Sequence, residues 1–245
     1  NTIDTKEGDK QSMAGVAYAV SFGCGILIYM MMIIYGTQVM RGVTEEKTNR
    51  IAEVIVSSVK PFQLMMGKIL GIGAVGLTQF AIWIILMFSM QLVLPLIFPD
   101  MLAQVNATAN NPGNASMAAN ITQGLASLPL LKIALSFLFY FIGGYLTYAS
   151  LFAAIGSVVS EDQQEAQQLI FPVLMPIILG FVIMMKAVND PNSSLAVFGS
   201  LFPLTSPIVM MGRITYDIPV WQIICSMLLL VGCFLLFTWM TGKIY

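Results

Sequence analysis

The sequence predicts an all-α polytopic membrane protein. Three observations carry this. Only 9% of its 245 residues are charged, where a soluble domain carries about 25%. The few charges cluster, leaving long apolar runs without any. Five of those runs match the roughly 20 helical residues that cross a bilayer core. A Lys, Arg or Asp at the centre of such a helix costs roughly 2.5–3.5 kcal/mol on the insertion scale, so a lipid surrounding accounts for both the scarcity and the clustering of charge.

The five expected crossings are about 13–39, 69–98, 133–159, 169–185 and 220–240. Tyr18, Tyr35, Trp221 and Trp239 fall near segment ends, as interfacial aromatic belts require. The connection after the first crossing holds Arg41, Lys47, Arg50, Lys60 and Lys68, whereas Pro99–Pro129 has neither Lys nor Arg. The positive-inside rule places the first connection in the cytoplasm and the second outside. Alternation then puts 160–168 inside, 189–219 outside and Lys243 inside. Lys6 and Lys10 fall outside, beside the acids Asp4, Glu7 and Asp9. The outer connection also holds Asn106, Asn114 and Asn120 in Asn-x-Ser/Thr triplets, a pattern that Asn-rich loops produce by chance.

The apolar stretch 195–212 is interrupted by Pro203 and Pro207, each of which lacks a backbone donor. It is expected to be a re-entrant segment that enters from outside and returns, with Arg213 held near the surface. Broken backbone at membrane depth must be buried in protein or wetted.

Several classes of chemistry are excluded by composition. The chain has no histidine, which removes HExxH zinc hydrolases, Ser-His-Asp triads and histidine proton relays. Cys24, Cys225 and Cys233 lie in apolar runs without metal or disulfide spacing. A formal charge of −1 provides no basic field for nucleic acid. Gly71-Ile-Gly73-Ala-Val-Gly76 matches GxGxxG, but without a preceding strand it reads as small residues that let helices approach, as does Gly143-Gly144. No GxxxxGK[ST] loop exists, so the chain does not hydrolyse ATP by that route. No cofactor and no metal site is expected, and the chain is not expected to be an enzyme. Thr78, Gln79, Gln91, Tyr140, Tyr145, Thr147 and Tyr148 either line a path or serve as interhelical glue.

The densest information lies in 41–61. Glu45 and Glu46 read as the first turn of a short amphipathic helix over 44–59, where the helix dipole favours acids. Glu46 and Arg50 stand four apart. Ile51, Val54, Ile55 and Val59 share one face, and Pro61 is expected to stop the helix. On physics alone this is either a helix in the headgroup layer or a lever docked on a soluble partner.

Residues 39–71, from Val39-Met-Arg-Gly-Val-Thr-Glu-Glu through Ser57, Ser58 and Pro61 to Gly67-Lys68, resemble the signature of ABC-2 type transporter permeases, nearest the NatB-like, sodium-export branch. Ser206-Pro207 followed by Met211 and Arg213, ahead of Pro219 and Trp221, is a second point of similarity. The resemblance implies an ABC-2 (type V exporter-like) transmembrane domain over 12–245, with 1–11 as the tail of an extracellular domain that a further helix precedes. It implies a permease subunit of an exporter in the bacterial cytoplasmic membrane. Its partners would be an ABC ATP-binding subunit, a second permease subunit and membrane lipid. Coupling to the ATPase would fall to Glu45, Glu46, Lys47, Arg50, Glu53 and Lys60. Glu161, Asp162 and Glu165, an acidic inner turn, would offer a second cytoplasmic contact. The competing reading is an ion-coupled carrier or channel without an ATPase. Such proteins place ionisable groups near the bilayer midplane, and the candidates Lys132, Lys186 and Arg213 lie near segment ends.

Overall fold

The computed structural model describes residues 2–48, 61–97, 124, 126–158 and 163–244. Among these it contains seven helices: α1 Thr2–Thr48, α2 Pro61–Ile97, α3 Leu130–Val158, α4 Gln163–Asn189, α5 Ser194–Leu201, α6 Ser206–Arg213 and α7 Val220–Ile244. Five of them contain spans long and apolar enough to cross a membrane: 14–46, 62–90, 130–158, 168–189 and 220–243. The architecture is all-helical, as the hydropathy requires.

The chain divides into two compact units. The smaller comprises residues 1–19 and 75–129. Its α2 segment is apolar around its whole circumference, with Trp83, Phe88 and Leu92 exposed, the character of a helix whose solvent is lipid. Within this unit Gly124 approaches α1 so closely that a Cβ there would come 2.9 Å from the Val16 side chain. Residues 2–11, expected as a domain tail, belong to α1.

The larger unit comprises residues 20–74 and 130–245. Contacts between α3 and α7 advance in step along both chains: Tyr140 reaches Ile223 and Ser226, Gly143 faces Leu230, and Ser150 meets Thr241. The two helices are therefore parallel. With α4 between them in sequence, the α5–α6 stretch adds no net crossing. The lengths agree, since eight-residue helices extend about 12 Å against a core of about 30 Å.

The α5–α6 hairpin is packed onto the second half of α4. Ile183, Ala187, Ala196 and Val209 form one buried cluster. The stretch is not one interrupted helix with two equivalent proline breaks. The break occupies Phe202–Thr205, at Pro203, while Pro207 sits in the first turn of α6, where a missing donor costs nothing. Tyr148 of α3 donates its hydroxyl to the Leu204 carbonyl at 2.7 Å, and Thr205 Oγ1 donates to the Gly199 carbonyl at 2.6 Å. The non-helical backbone is thus satisfied from within the protein.

Several local expectations are revised. Pro61 opens the described helix α2, where its fixed φ suits the first position; whether a helix ends before it lies outside the described residues, which omit 49–60. Helix α4 starts at Gln163, so Glu165 lies within a helix rather than a turn, and it accommodates Pro172 and Pro176 internally. Tyr35 is in the core instead of an interfacial belt, while Trp221 and Trp239 are exposed. Lys243 lies over the Trp239 ring, 3.9 Å from its centroid.

Candidate functional site

The connection singled out by sequence joins α1 to α2. The roots of these two helices and the second half of α3 share one core. Tyr35, Val39 and Val43 of α1, Met65 and Ile69 of α2, and Tyr145, Ala149 and Ala153 of α3 are all buried in it. Close approach is built in by small residues. A Cβ at Gly156 would lie 2.8 Å from the Met40 carbonyl, and one at Gly36 would lie 2.4 Å from the Phe152 ring. A Cβ at Gly73 would strike Tyr145 at 2.6 Å, and that ring is pinned because its hydroxyl donates to the Ile69 carbonyl at 2.7 Å. Gly71, by contrast, faces open space, so the glycines of the GxGxxG match do not all serve packing.

The acidic pair lies elsewhere in its helix than expected. Helix α1 is helical through Thr48, so Glu45 and Glu46 continue it and do not open a new helix. Glu46 meets Lys68 of α2. Its ammonium pairs with the Glu46 carboxylate at 2.6 Å and donates to the Gly42 carbonyl. Glu45 is exposed and Glu46 partly covered. Lys47 is in α1, while Arg50, Glu53, Lys60 and the rest of 49–60 lie outside the described residues, as do Glu161 and Asp162.

At the other end of the unit stands Arg213. Expected near the membrane surface, it is fully buried within the protein at the end of α6. Its Nε donates to the Pro191 carbonyl at 2.6 Å, one terminal nitrogen to Ser200 Oγ, and the other to Gln222 Oε1 at 2.9 Å. Among the described residues no carboxylate pairs with it. Burial pulls the guanidinium below the ordinary arginine range, yet arginine keeps its charge at physiological pH. The group therefore ties the turn after α4, α5 and α7 together through neutral dipoles. Nearby, Tyr216 donates to the Val188 carbonyl at 2.7 Å, and Ser21 and Thr215 share a hydrogen bond at 2.5 Å.

Four of the polar residues left open between path and glue are committed to protein partners. Tyr140 donates to Ser226 Oγ at 3.1 Å, Tyr145 to Ile69, Tyr148 to Leu204, and Thr147 to its own helix at Gly143. Among the described residues no group of three or more Cys, Asp or Glu is placed to hold a metal ion.

The family model for ABC-2 family transporter proteins matches residues 1–243. The chain belongs to the ABC-2 transporter family. Two curated relatives of this ABC-2 chain are similar along most of its length. One is the uncharacterized protein YhaP of Bacillus subtilis, 34% identical over 223 residues, which are 89% of this chain and 48% of the relative. The other is the uncharacterized protein MJ1024 of Methanocaldococcus jannaschii, 28% identical over 227 residues, 92% of this chain and 48% of the relative. The chain thus spans about half the length of these relatives. No solved structure matches. Membership identifies a multi-pass membrane component of a transporter, and neither relative carries a name that supports a NatB-like branch.

Proposed function

We propose that this ABC-2 domain is the permease part of an ATP-binding-cassette exporter in the bacterial cytoplasmic membrane, driven by ATP hydrolysed on a separate subunit and working beside a second permease subunit. The observation that carries the reading is the shared core at the roots of α1 and α2. Whatever displaces the 49–60 connection pushes on two helices that are packed without slack against α3, and α3 is in turn packed along α7. A force applied at one short connection therefore reaches four crossings, which is the mechanical requirement for coupling.

Within that connection, Glu45, Lys47, Arg50, Glu53 and Lys60 are the charges that would meet a groove on the ATPase, and Glu161, Asp162 and Glu165 the second contact. Charges at such a surface set register and specificity more than affinity. Glu46 is occupied by Lys68 and is assigned to the root. Sodium is the cargo favoured by the resemblance of residues 39–71 to the NatB-like branch.

The test uses the full-length protein with its ATPase in inside-out membrane vesicles. The Arg50→Glu, Glu53→Lys double variant is expected to insert normally but to release the ATPase or to hydrolyse ATP without moving cargo. ATP-driven uptake of radioactive sodium reads the cargo. Wild-type coupling in the double variant overturns the docking surface. An ATPase that assembles and cycles while sodium stays outside retains the exporter and removes sodium.

A further inference from the structure

We infer that Lys68 is a positioning residue: a clamp that closes the root of the 43–67 segment, holding the end of α1 and the start of α2 as one mechanical body. This rests on the coupling reading above and assigns two residues within it.

Glu46 stands in the last described stretch of α1, with Gly42 one helical turn before it. Its cation comes from 22 residues further along the chain. Lys68 Nζ is 2.6 Å from Glu46 Oε2, and the same nitrogen donates to the Gly42 carbonyl, one helical turn earlier. One ammonium thus holds both the Glu46 carboxylate and the Gly42 carbonyl.

Gly42 is what lets the lysine stem lie against α1, since a Cβ there would already press on Lys68 Cδ at 3.3 Å. Both charged side chains are largely covered, at 15% exposed for Lys68 and 22% for Glu46. The pair is therefore screened less by salt than a surface pair. The hydrogen bond to the backbone makes the contact directional, which an ion pair alone is not.

The consequence is specific. The core of Val43, Met65 and Ile69 holds the helices together by apolar contact, which resists separation but allows sliding. The clamp fixes their axial register. A push on the connection then translates α1 and α2 jointly against α3, where without the clamp one helix slides past the other and the displacement is absorbed. On this account the Gly67-Lys68 pair of the signature serves the root of the connection and not the ATPase surface.

The experiment measures amide hydrogen exchange in the full-length protein with its ATPase in nanodiscs. Without nucleotide, Lys68→Met is expected to speed exchange at the amides of 39–46 and 65–73 by roughly tenfold, the size of one lost charge-assisted hydrogen bond. Glu46→Gln should give a smaller effect, and the double variant should be no faster than Lys68→Met. Lys68→Arg, which keeps the charge and the donors, should restore wild-type exchange. Unchanged exchange in Lys68→Met, or additive effects in the double variant, overturns the clamp. With ATP and vanadate, the wild type should change protection at both stretches together, Lys68→Arg should do the same, and Lys68→Met should respond in one stretch alone. A joint response in Lys68→Met overturns the positioning role. A wild type that is clamped by the nucleotide-free criterion but indifferent to ATP removes the coupling reading and leaves the clamp standing.

Discussion

Arg213 shows what a sequence hides about a single residue. It precedes a Thr-Tyr-Asp run that reads as a wet turn, and its partners lie 22, 13 and 9 positions away, spacings that belong to no helical or strand pattern. The local signal misleads: Asp217 stands four residues from it, a spacing that suggests a surface pair, whereas the guanidinium turns inward to Pro191, Ser200 and Gln222. Glu46 and Lys68 were equally unreadable as a pair, although both were visible as members of a signature. The guanidinium is suited to its site because it donates in several fixed directions, which an ammonium on a flexible stem does not. Replacing Arg213 by Lys is expected to keep the charge, lose at least one of the three contacts and leave Ser200 or Gln222 with an unanswered buried group. Each such group costs about 1–3 kcal/mol. Thermal unfolding in detergent should register the loss, and a Gln222→Leu variant should lower the midpoint in the same direction. A Lys variant as stable as the wild type would show that the charge alone suffices.

Among the described helices, each of the five long ones holds an expected crossing and most extend beyond it. Crossings stop being legible where a helix leaves the lipid and remains helical, as α1 does through Thr48 and α2 does from Pro61. Pro61 illustrates the ambiguity: proline ends a helix that comes before it and starts one that comes after it, and both outcomes fit the same letter. The glycines divide more cleanly once packing is known. Gly156 faces the Met40 carbonyl, and backbone does not give way; Gly71 faces nothing within 4 Å. An alanine scan should therefore split in sign. Gly71→Ala is expected to be neutral or to gain up to about 1 kcal/mol from helix propensity. Gly156→Ala should lose about 1–3 kcal/mol to overpacking and loosen the core shared by α1, α2 and α3. Unfolding midpoints of the two variants, measured side by side, check the contrast.

Across the bilayer, the arrangement of the larger unit makes a topology test possible. Lys68, Gly42, Gly156 and Gly242 gather at one end, where Phe62 lies against Gly242; Pro191, Ser200, Arg213 and Gln222 gather at the other. The charge count of the connections assigns the first end to the cytoplasm. In a background with Cys24, Cys225 and Cys233 replaced, Asn192→Cys in the exposed turn after α4 should react with a membrane-impermeant maleimide added to intact cells. Gln63→Cys, exposed at the start of α2, should react only after permeabilisation. The reverse pattern would invert the assignment. The charge pattern supplies this orientation as an expectation, whereas the parallel run of α3 and α7 emerges only from the contacts between them.

The bond from Arg213 to Gln222 also bears on how the protein is made. During synthesis α4 is inserted first, the α5–α6 stretch follows, and Gln222 arrives last, on the first turn of the final crossing. Neither short helix is long enough to arrest translocation as a spanning segment, and a lone arginine is poorly tolerated in lipid. The three contacts of the guanidinium are therefore complete only once the final helix is delivered. The last helix to be made finishes a site that the two before it can only begin.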